Sequence, residues 1–213
     1  MGRIIVFGAG GRAGRATVEA ARDRGHEVTA VVRDPARHPD LTAGSGVLVT
    51  AGDVTDADRV AGLMAAGHDA AVHAAADLAA PPDVFFPAAA RAVLTGSRRA
   101  GVGRLVVVGL ASVLTTADGV PLMDTPDYPR EYRDFYLGHA AGTEVLRREG
   151  ADVDWLVLSP AGDFDHGGTP AGRYRFAPAR ATSRITYADL ALALLDEIER
   201  PGHRRVHLGV EHG

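Results

Sequence analysis

An apolar strand that runs directly into a glycine-rich loop constrains the fold more than any other feature of the sequence. Residues 4–7 are followed by Gly8, Gly11 and Gly14 in the spacing G-x-x-G-x-x-G, and an alanine-rich stretch follows. Gly8 permits the tight turn out of the strand, Gly11 lets a bare backbone approach a ligand, and Gly14 lets the next helix pack closely. Because the first N–H groups of that helix face the loop, the pattern predicts a cradle for a dinucleotide pyrophosphate.

The sequence around the glycine triplet separates this interpretation from a simple glycine-rich turn. A second apolar strand, HEVTAVV, follows the predicted helix at the distance that a βαβ unit requires. The predicted contacts with the coenzyme inside the loop come from Gly8, Gly10, Gly11, Arg12, Ala13 and Gly14.

Strand-like and helix-like stretches alternate along the chain. Strands are predicted at 3–7, 27–32, 47–50, 70–75, 104–109, 154–159 and 205–209, and helices at 12–24, 55–66, 83–99, 130–149 and 186–199. This alternation predicts an α/β fold, a three-layer Rossmann fold with a doubly wound, mostly parallel sheet. We expect one domain over residues 1–213, because no stretch has the composition of a linker.

Two stretches, at about 113–130 and 161–182, interrupt the alternation. Each follows a continuous apolar run, LVVVG or WLVL, that is typical of a central strand. Ligands of open α/β sheets bind at the carboxyl ends of the strands, so we expect these two segments to cover the nicotinamide and a small-molecule substrate.

Composition excludes several classes of function. The net charge of −4 over 213 residues, without a basic stripe, argues against nucleic-acid binding. No apolar run reaches the roughly 20 residues of a membrane span, and the first strand leaves no room for a signal peptide, so we expect a cytoplasmic protein without a membrane partner. A monomer and a homodimer both remain open.

Cysteine and lysine are absent from the sequence. Disulfides, thiolate catalysis and cysteine metal sites are therefore excluded, as are a Schiff-base lysine and a lysine that assists a tyrosine.

The end of the second strand, AVVRDP, bears on the choice of coenzyme. Arg33 stands at its tip, and Arg12 and Arg37 add positive charge nearby, which favours the 2′-phosphate of NADP (NADPH). Asp34 is the opposing argument, because a carboxylate there would bind the ribose hydroxyl of NAD. We interpret Asp34 as the start of a turn before Pro35 and predict NADPH.

Two further strand ends carry predicted coenzyme contacts. In GDVTD, Asp53 and the backbone of Val54 are placed to meet the adenine. In HAAAD, the small residues Ala74 and Ala75 let the backbone approach the coenzyme closely.

With these pieces in order, the chain resembles the atypical short-chain dehydrogenase/reductase superfamily, specifically the single-domain NAD(P)H-binding group of biliverdin reductase B-like and NADH-flavin reductase proteins, with NmrA-like relatives. The similarity runs almost end to end and includes GHEVTAVVRDP, MDTPDYPREY, HAAGTEVLR and DWLVLSPAG. It implies a Rossmann fold and an NADPH site, and it places Ser159 and Pro160 beside the nicotinamide.

The chain departs from the catalytic pattern of the wider superfamily. Ser112 stands where the superfamily's serine is expected, but the Tyr-x-x-x-Lys pair is incomplete. Four residues beyond Tyr128, Tyr132 and Tyr136 stand Tyr132, Tyr136 and Ala140. The tyrosine spacing is also that of an aromatic packing stripe on one helical face.

Ser112, Tyr132, Tyr136 and His139 are the candidate catalytic residues. His139 matches the histidine of the family's helix and is expected to titrate near neutral pH, although a histidine bonded to a backbone carbonyl is the alternative. We predict no metal site, because the D-x-D-H of Asp163, Asp165 and His166 matches no tight ligand geometry.

Hydride transfer to a ketone creates an alkoxide that needs a matched acid, whereas a flavin or quinone delocalises the added charge. Without a lysine, the sequence favours an NADPH-dependent oxidoreductase that acts on a conjugated acceptor. The alternatives are an NADPH-sensing regulator without turnover and a ketoreductase or epimerase of a biosynthetic pathway.

Overall fold

The structure, a computed structural model, describes residues 2–42 and 46–213. Its ten strands are β1 (Arg3–Phe7), β2 (Glu27–Val32), β3 (Val47–Ala51), β4 (Ala70–His73), β5 (Arg104–Val108), β6 (Trp155–Pro160), β7 (Asp163–Phe164), β8 (Tyr174–Ala177), β9 (Arg184–Ile185) and β10 (Val206–His212). Its five helices of more than one turn are α1 (Arg12–Asp23), α2 (Ala57–Met64), α3 (Pro82–Ala100), α4 (Arg133–Glu149) and α5 (Tyr187–Glu199).

Eight strands form one sheet in the order β3-β2-β1-β4-β5-β6-β10-β8. All neighbours are parallel except β10 and β8, which pair antiparallel, and the predicted mostly parallel sheet is confirmed. The chain builds outward from β1 to β3 on one side and then restarts at β4 on the other. The carboxyl ends of β1 and β4 therefore form the topological switch point, where open α/β sheets bind ligands.

Helices cover both faces of this sheet. One buried cluster joins the sheet to α2, α3 and α4, and includes Phe7, Phe86 and Leu105. The other joins the sheet to α1 and α5, and includes Ile4, Val18 and Leu194. The central strands read as continuous apolar runs because both of their faces are buried in this way. The predicted three-layer Rossmann fold is confirmed.

The structure corrects several predicted boundaries. The fourth strand ends at residue 73 instead of 75, α4 begins at 133 instead of 130, and the last strand runs to His212. The stretch 161–182 also contains β7 and β8, which are only two and four residues long and therefore give little local signal. Among residues 2–42 and 46–213, no helix combines the length and the apolar character that a membrane crossing requires.

Candidate functional site

The glycine loop brings two strand ends into backbone contact. Gly8 has φ +81°, and a Cβ there would lie 2.5 Å from the backbone N and Cα of Ala75, just beyond β4. A Cβ on Gly14 would collide with the carbonyl oxygen of Gly8. Two of the glycines are thus required by the fold itself, because each allows a close approach that a side chain would block.

The first turn of α1 offers free backbone donors to an anion. The N-cap residue is Gly11, which makes no side-chain cap, and the first turn contains no acidic residue. The N–H groups of Arg12, Ala13 and Gly14 are the first donors of the helix, and they find no carbonyl within it because a helix leaves its first donors unpaired. A loop with a bare backbone and an uncapped helix end fits a coenzyme diphosphate.

A cleft of about 670 Å³ extends from this loop across the switch point. Eight of the predicted coenzyme residues line it: Gly8, Gly10, Gly11, Arg33, Asp53, Val54, Ala74 and Ala75. Arg37, His38 and Asp77 also line it. Residues at or just beyond the ends of β1, β2, β3 and β4 all line the cleft.

Two arginines, Arg33 and Arg37, and the carboxylate of Asp34 lie at the β2 end of the cleft. Arg33 is exposed, and its Nη1 lies 2.5 Å from Oδ2 of Asp77. Asp34 accepts a hydrogen bond from Ala36 N at 3.0 Å and starts a 3₁₀ turn, as the sequence predicted. Because Asp34 is engaged with its own turn, the group that β2 presents to the cleft is the guanidinium of Arg33.

The carboxylate of Asp53 is also engaged locally. Its Oδ1 accepts hydrogen bonds from Thr55 N at 2.8 Å and from Thr55 Oγ1 at 2.7 Å. This turn holds Val54 against the cleft, with its side chain buried in the core. Asp53 therefore shapes the loop after β3.

Five predicted coenzyme residues do not line the cleft: Arg12, Ala13, Gly14, Ser159 and Pro160. The Nη1 of Arg12 lies 3.0 Å from Nδ1 of His166, in the segment 161–182. Ser159 is fully buried at the end of β6, and its Oγ lies 2.7 Å from Nε2 of His207.

Ser112 lies in a short 3₁₀ turn after β5 and is fully buried. Its Oγ has no hydrogen-bond partner within the described part of the chain. A buried hydroxyl without a partner is costly, and such atoms call for a ligand or a bound water.

The three tyrosines meet as an aromatic cluster. Only Tyr136 lies within α4, where it is buried; Tyr132 is the exposed N-cap residue of that helix, and Tyr128 precedes it. The Tyr136 ring centroid lies 5.3 Å from that of Tyr128 and 6.5 Å from that of Tyr132. Burial raises the pKa of Tyr128 to about 12 and also raises the pKa of Tyr136. This shift is opposite to the one that a lysine would produce.

His139 lies between two phenylalanine rings. Its ring centroid is 3.7 Å from that of Phe86 and 4.9 Å from that of Phe135. Burial, with the nearby His73 and His207, lowers the pKa of His139 to about 3. The expectation that His139 titrates near neutral pH is therefore wrong, because the sequence does not reveal how far α4 buries this ring against α3.

Three contributors to this region were not recognised from the sequence. Asp77 ends the motif HAAAD, His38 directly follows Arg37 in the turn after β2, and His207 lies in β10. The strand register places His73 and His207 in one row across the sheet, separated by Val107 and Val157. The one available signal was that His38 directly follows Arg37, an arginine already considered for the 2′-phosphate.

The segment 161–182 is fastened to α5. The fully buried carboxylate of Asp189 accepts hydrogen bonds from Ala171 N at 3.0 Å, from Gly172 N at 2.9 Å and from Thr186 Oγ1 at 2.8 Å. In the same segment, His166 contacts Arg12 and Tyr187. Across residues 2–42 and 46–213, no three histidines or carboxylates are grouped to hold a metal ion.

Comparison with known proteins agrees with this geometry. The chain is 34% identical to the uncharacterized protein YwnB of Bacillus subtilis, over 95% of this chain and 94% of YwnB. A protein of Streptococcus pneumoniae, provisionally named an NADH-flavin reductase, superimposes with a TM-score of 0.80 at 29% identity, with both chains covered in full. A provisionally named epimerase of Bacteroides thetaiotaomicron gives a TM-score of 0.86 at 28% identity, covering 99% of this chain and 97% of the other.

The model of one family, described as NAD(P)H-binding, matches residues 8–201. That match spans the glycine loop, the ends of β2, β3 and β4 that line the cleft, and the helix that carries Asp189. The sequence resemblance described above is confirmed, and the chain belongs to the NAD(P)H-binding family of atypical short-chain dehydrogenase/reductase proteins.

Proposed function

We propose that this protein is an NADPH-dependent oxidoreductase that transfers hydride to a conjugated small-molecule acceptor of the flavin or quinone type. The observation that carries the proposal is the cleft at the switch point, which begins at the glycine loop before an uncapped helix and has an exposed arginine, Arg33, at its β2 end. A bound reduced nicotinamide supplies the hydride. The residues of this chain hold the coenzyme and place the acceptor.

The choice of NADPH is supported by charge at the β2 end of the cleft. Arg33 and Arg37 both line it, whereas Asp34 is engaged with Ala36. A guanidinium binds phosphate through parallel hydrogen bonds, and a carboxylate at this place would repel it.

The choice of acceptor is supported by the pKa values of the two buried candidate acids, Tyr136 and His139. The chain has no lysine, the pKa of Tyr136 is raised by burial, and the pKa of His139 is lowered to about 3. Neither side chain has a pKa near neutral pH, where general acid catalysis is most effective. A flavin or quinone needs positioning more than it needs acid catalysis, since its ring system spreads the added charge. The similarity to the Streptococcus pneumoniae protein, provisionally named an NADH-flavin reductase, points the same way.

We assign the orienting role to Ser112, whose buried Oγ lacks a partner in the described residues. In this proposal Ser159 and Pro160 lie beside the nicotinamide, and residues 113–130 and 161–182 cover the acceptor. Tyr132, Tyr136 and His139 then shape the pocket wall, and solvent supplies the proton after hydride transfer.

Steady-state loss of NADPH absorbance tests the proposal with FMN, FAD, menadione and a panel of simple ketones. We expect turnover with the flavins or the quinone and slow or no turnover with the ketones. Ser112→Ala should lower kcat/KM for the acceptor about tenfold or more without changing coenzyme affinity, since a lost hydrogen bond to a substrate is worth about 1–2 kcal/mol. The matched control is Ser97→Ala, which removes the hydroxyl of a different buried serine, located in α3.

Two other outcomes would contradict the proposal. Tight binding of NADPH with no turnover of any acceptor would favour a coenzyme sensor. Preferential turnover of ketones would favour the ketoreductase alternative and would require a proton donor other than those assigned here.

A further inference from the structure

The imidazole of His38 lies against the glycine loop, on the wall of the cleft. A Cβ on Gly10 would lie 2.5 Å from Nε2 of His38 and 2.6 Å from Cε1, so this edge of the ring faces the loop. The backbone of His38 is held at both groups, with its N–H donating to Pro35 O at 3.0 Å and its carbonyl accepting from Leu41 N at 3.2 Å. The ring is thus placed by a fixed turn.

Arg15 determines which nitrogen of this ring carries the proton. Its Nη2 lies 3.0 Å from Nδ1 of His38, and its Nε donates to the carbonyl oxygen of Gly10 at 3.0 Å. A guanidinium only donates hydrogen bonds, so Nδ1 must be the acceptor. The neutral ring therefore carries its hydrogen on Nε2, the nitrogen nearest Gly10.

Arg15 is itself held in place by a salt bridge between its Nη1 and the carboxylate of Asp40. The glycine loop, the ring of His38 and the turn that contains Asp40 are thus tied to one side chain of α1. This arrangement fixes an Nε2–H donor beside Gly10, on a residue that lines the cleft, without any help from the ligand. Preorganised donors of this kind bind better because little motion is lost on binding.

The Nε2–H of His38 makes no hydrogen bond within residues 2–42 and 46–213. It shares the β2 end of the cleft with Arg33 and Arg37. We propose that His38 donates this hydrogen bond to the 2′-phosphate of the coenzyme's adenosine ribose, and that Arg15 is the positioning residue that fixes the required tautomer. The proposal rests on the NADPH preference put forward above, and it names a further residue that determines this preference.

Fragments of the coenzyme test the proposal without any turnover. Adenosine 2′,5′-bisphosphate and adenosine 5′-monophosphate differ only by the 2′-phosphate, and calorimetry measures the affinity of each. We expect His38→Leu to weaken the bisphosphate about tenfold or more, the typical loss for a hydrogen bond to a charged group, and to change the monophosphate less than twofold. His38→Gln, whose amide can donate, should restore part of the difference.

Arg15→Leu should reduce the ratio of the bisphosphate affinity to the monophosphate affinity, because the ring then loses the bond that orders its tautomer. Arg22→Leu removes an equal charge from the same helix at a residue that pairs with Asp23, and it should leave the ratio unchanged. Thermal unfolding of each variant separates a lost contact from a lost fold. Equal weakening of both nucleotides by His38→Leu would overturn the proposal.

The tautomer has its own readout in the protein without ligand. Nitrogen NMR of the ring, at a pH where it is neutral, should show Nε2 protonated and Nδ1 unprotonated in the native chain. A proton on Nδ1 would overturn the proposal. Failure of the native protein to bind either coenzyme would instead overturn the proposed function, so the two failures are distinguishable.

Discussion

The guanidinium of Arg33 reaches across the cleft to the carboxylate of Asp77, with Nη1 and Oδ2 2.5 Å apart. Arg33 follows β2 and Asp77 follows β4, the two strands on either side of β1. The ion pair therefore spans the carboxyl end of the strand that leads into the glycine loop. Any phosphate that binds Arg33 competes with Asp77 for the same cation.

Arg33→Ala should weaken NADPH binding far more than NADH binding. Charge-assisted hydrogen bonds contribute about 1.5–3 kcal/mol each, which corresponds to roughly 10–100-fold in affinity for NADPH. Calorimetric titration with both coenzymes measures the difference. Equal weakening of both would remove the 2′-phosphate assignment of Arg33.

Asp77→Asn should strengthen NADPH binding. A hydrogen bond from Ala79 N and the charge of Arg33 lower the pKa of Asp77, so the carboxylate is ionised and competes with phosphate at neutral pH. Exposed ion pairs are weak and screened by salt, so we expect a gain of about fivefold at most, and a smaller one at high salt. Asp58→Asn, which breaks an exposed ion pair with Arg99 away from the cleft, is the control and should have no effect. A loss of affinity in Asp77→Asn would show that Asp77 supports the coenzyme.

Two glycine substitutions should separate binding from folding. Gly11 has φ −79° and ψ 167°, which alanine adopts readily, and its Cβ would touch only Gly8 O at 3.5 Å. Gly11→Ala should therefore cost at most about 1 kcal/mol of stability, as a change of N-cap residue, while its methyl group fills part of the cradle and weakens coenzyme binding at least tenfold.

Gly14→Ala places its Cβ against the backbone of Gly8 and Ala9, which cannot rotate away. We expect a loss of about 3 kcal/mol in the free energy of unfolding. Chemical denaturation and calorimetry of both variants test this contrast. If Gly11→Ala bound the coenzyme normally, the cradle would lie elsewhere.

Buried histidines should make the fold sensitive to acid. Burial lowers the pKa of His73 to about 4 and that of His207 to about 3, and the pKa of His139 falls to about 3, all from 6.5. Below pH 6.5 the unfolded chain binds protons that the folded chain refuses, so stability falls as the pH falls from about 6.5 towards 3. Each group contributes about 1.4 kcal/mol per pH unit between pH 6.5 and its own pKa in the folded chain.

His139→Phe keeps an aromatic ring between Phe86 and Phe135 and removes one of these titrations. Urea unfolding at a series of pH values should give a shallower acid dependence for the variant than for the native chain. An identical dependence in both proteins would mean that His139 titrates normally in the folded state.

The regular elements were largely predictable because their signals are local. Continuous apolar runs identified the central strands LVVVG and WLVL, and the helix predicted at 186–199 corresponds to α5, whose N-cap is Thr186. The short strands β7 and β8 were missed because they are only two and four residues long, and β8 is held by its antiparallel pairing with β10.

The cleft was predicted better than the catalytic region. Glycine and arginine at strand ends act through backbone freedom and charge, which the sequence displays directly. The pKa of a buried side chain cannot be predicted from the sequence in this way. Tyr128 and His139 were recognisable as titratable groups, but the direction of each pKa shift depends on which other elements cover them.

The sequence by itself determined the βα alternation, the glycine loop and the lack of lysine and cysteine, because each depends on residue type and spacing along one stretch of chain. Tertiary structure decided that Arg33 meets Asp77, that Arg15 orders the ring of His38, and that His73 and His207 share one row of the sheet. These relationships join residues from separate elements. They depend on strand register and burial, which arise only when the elements pack together.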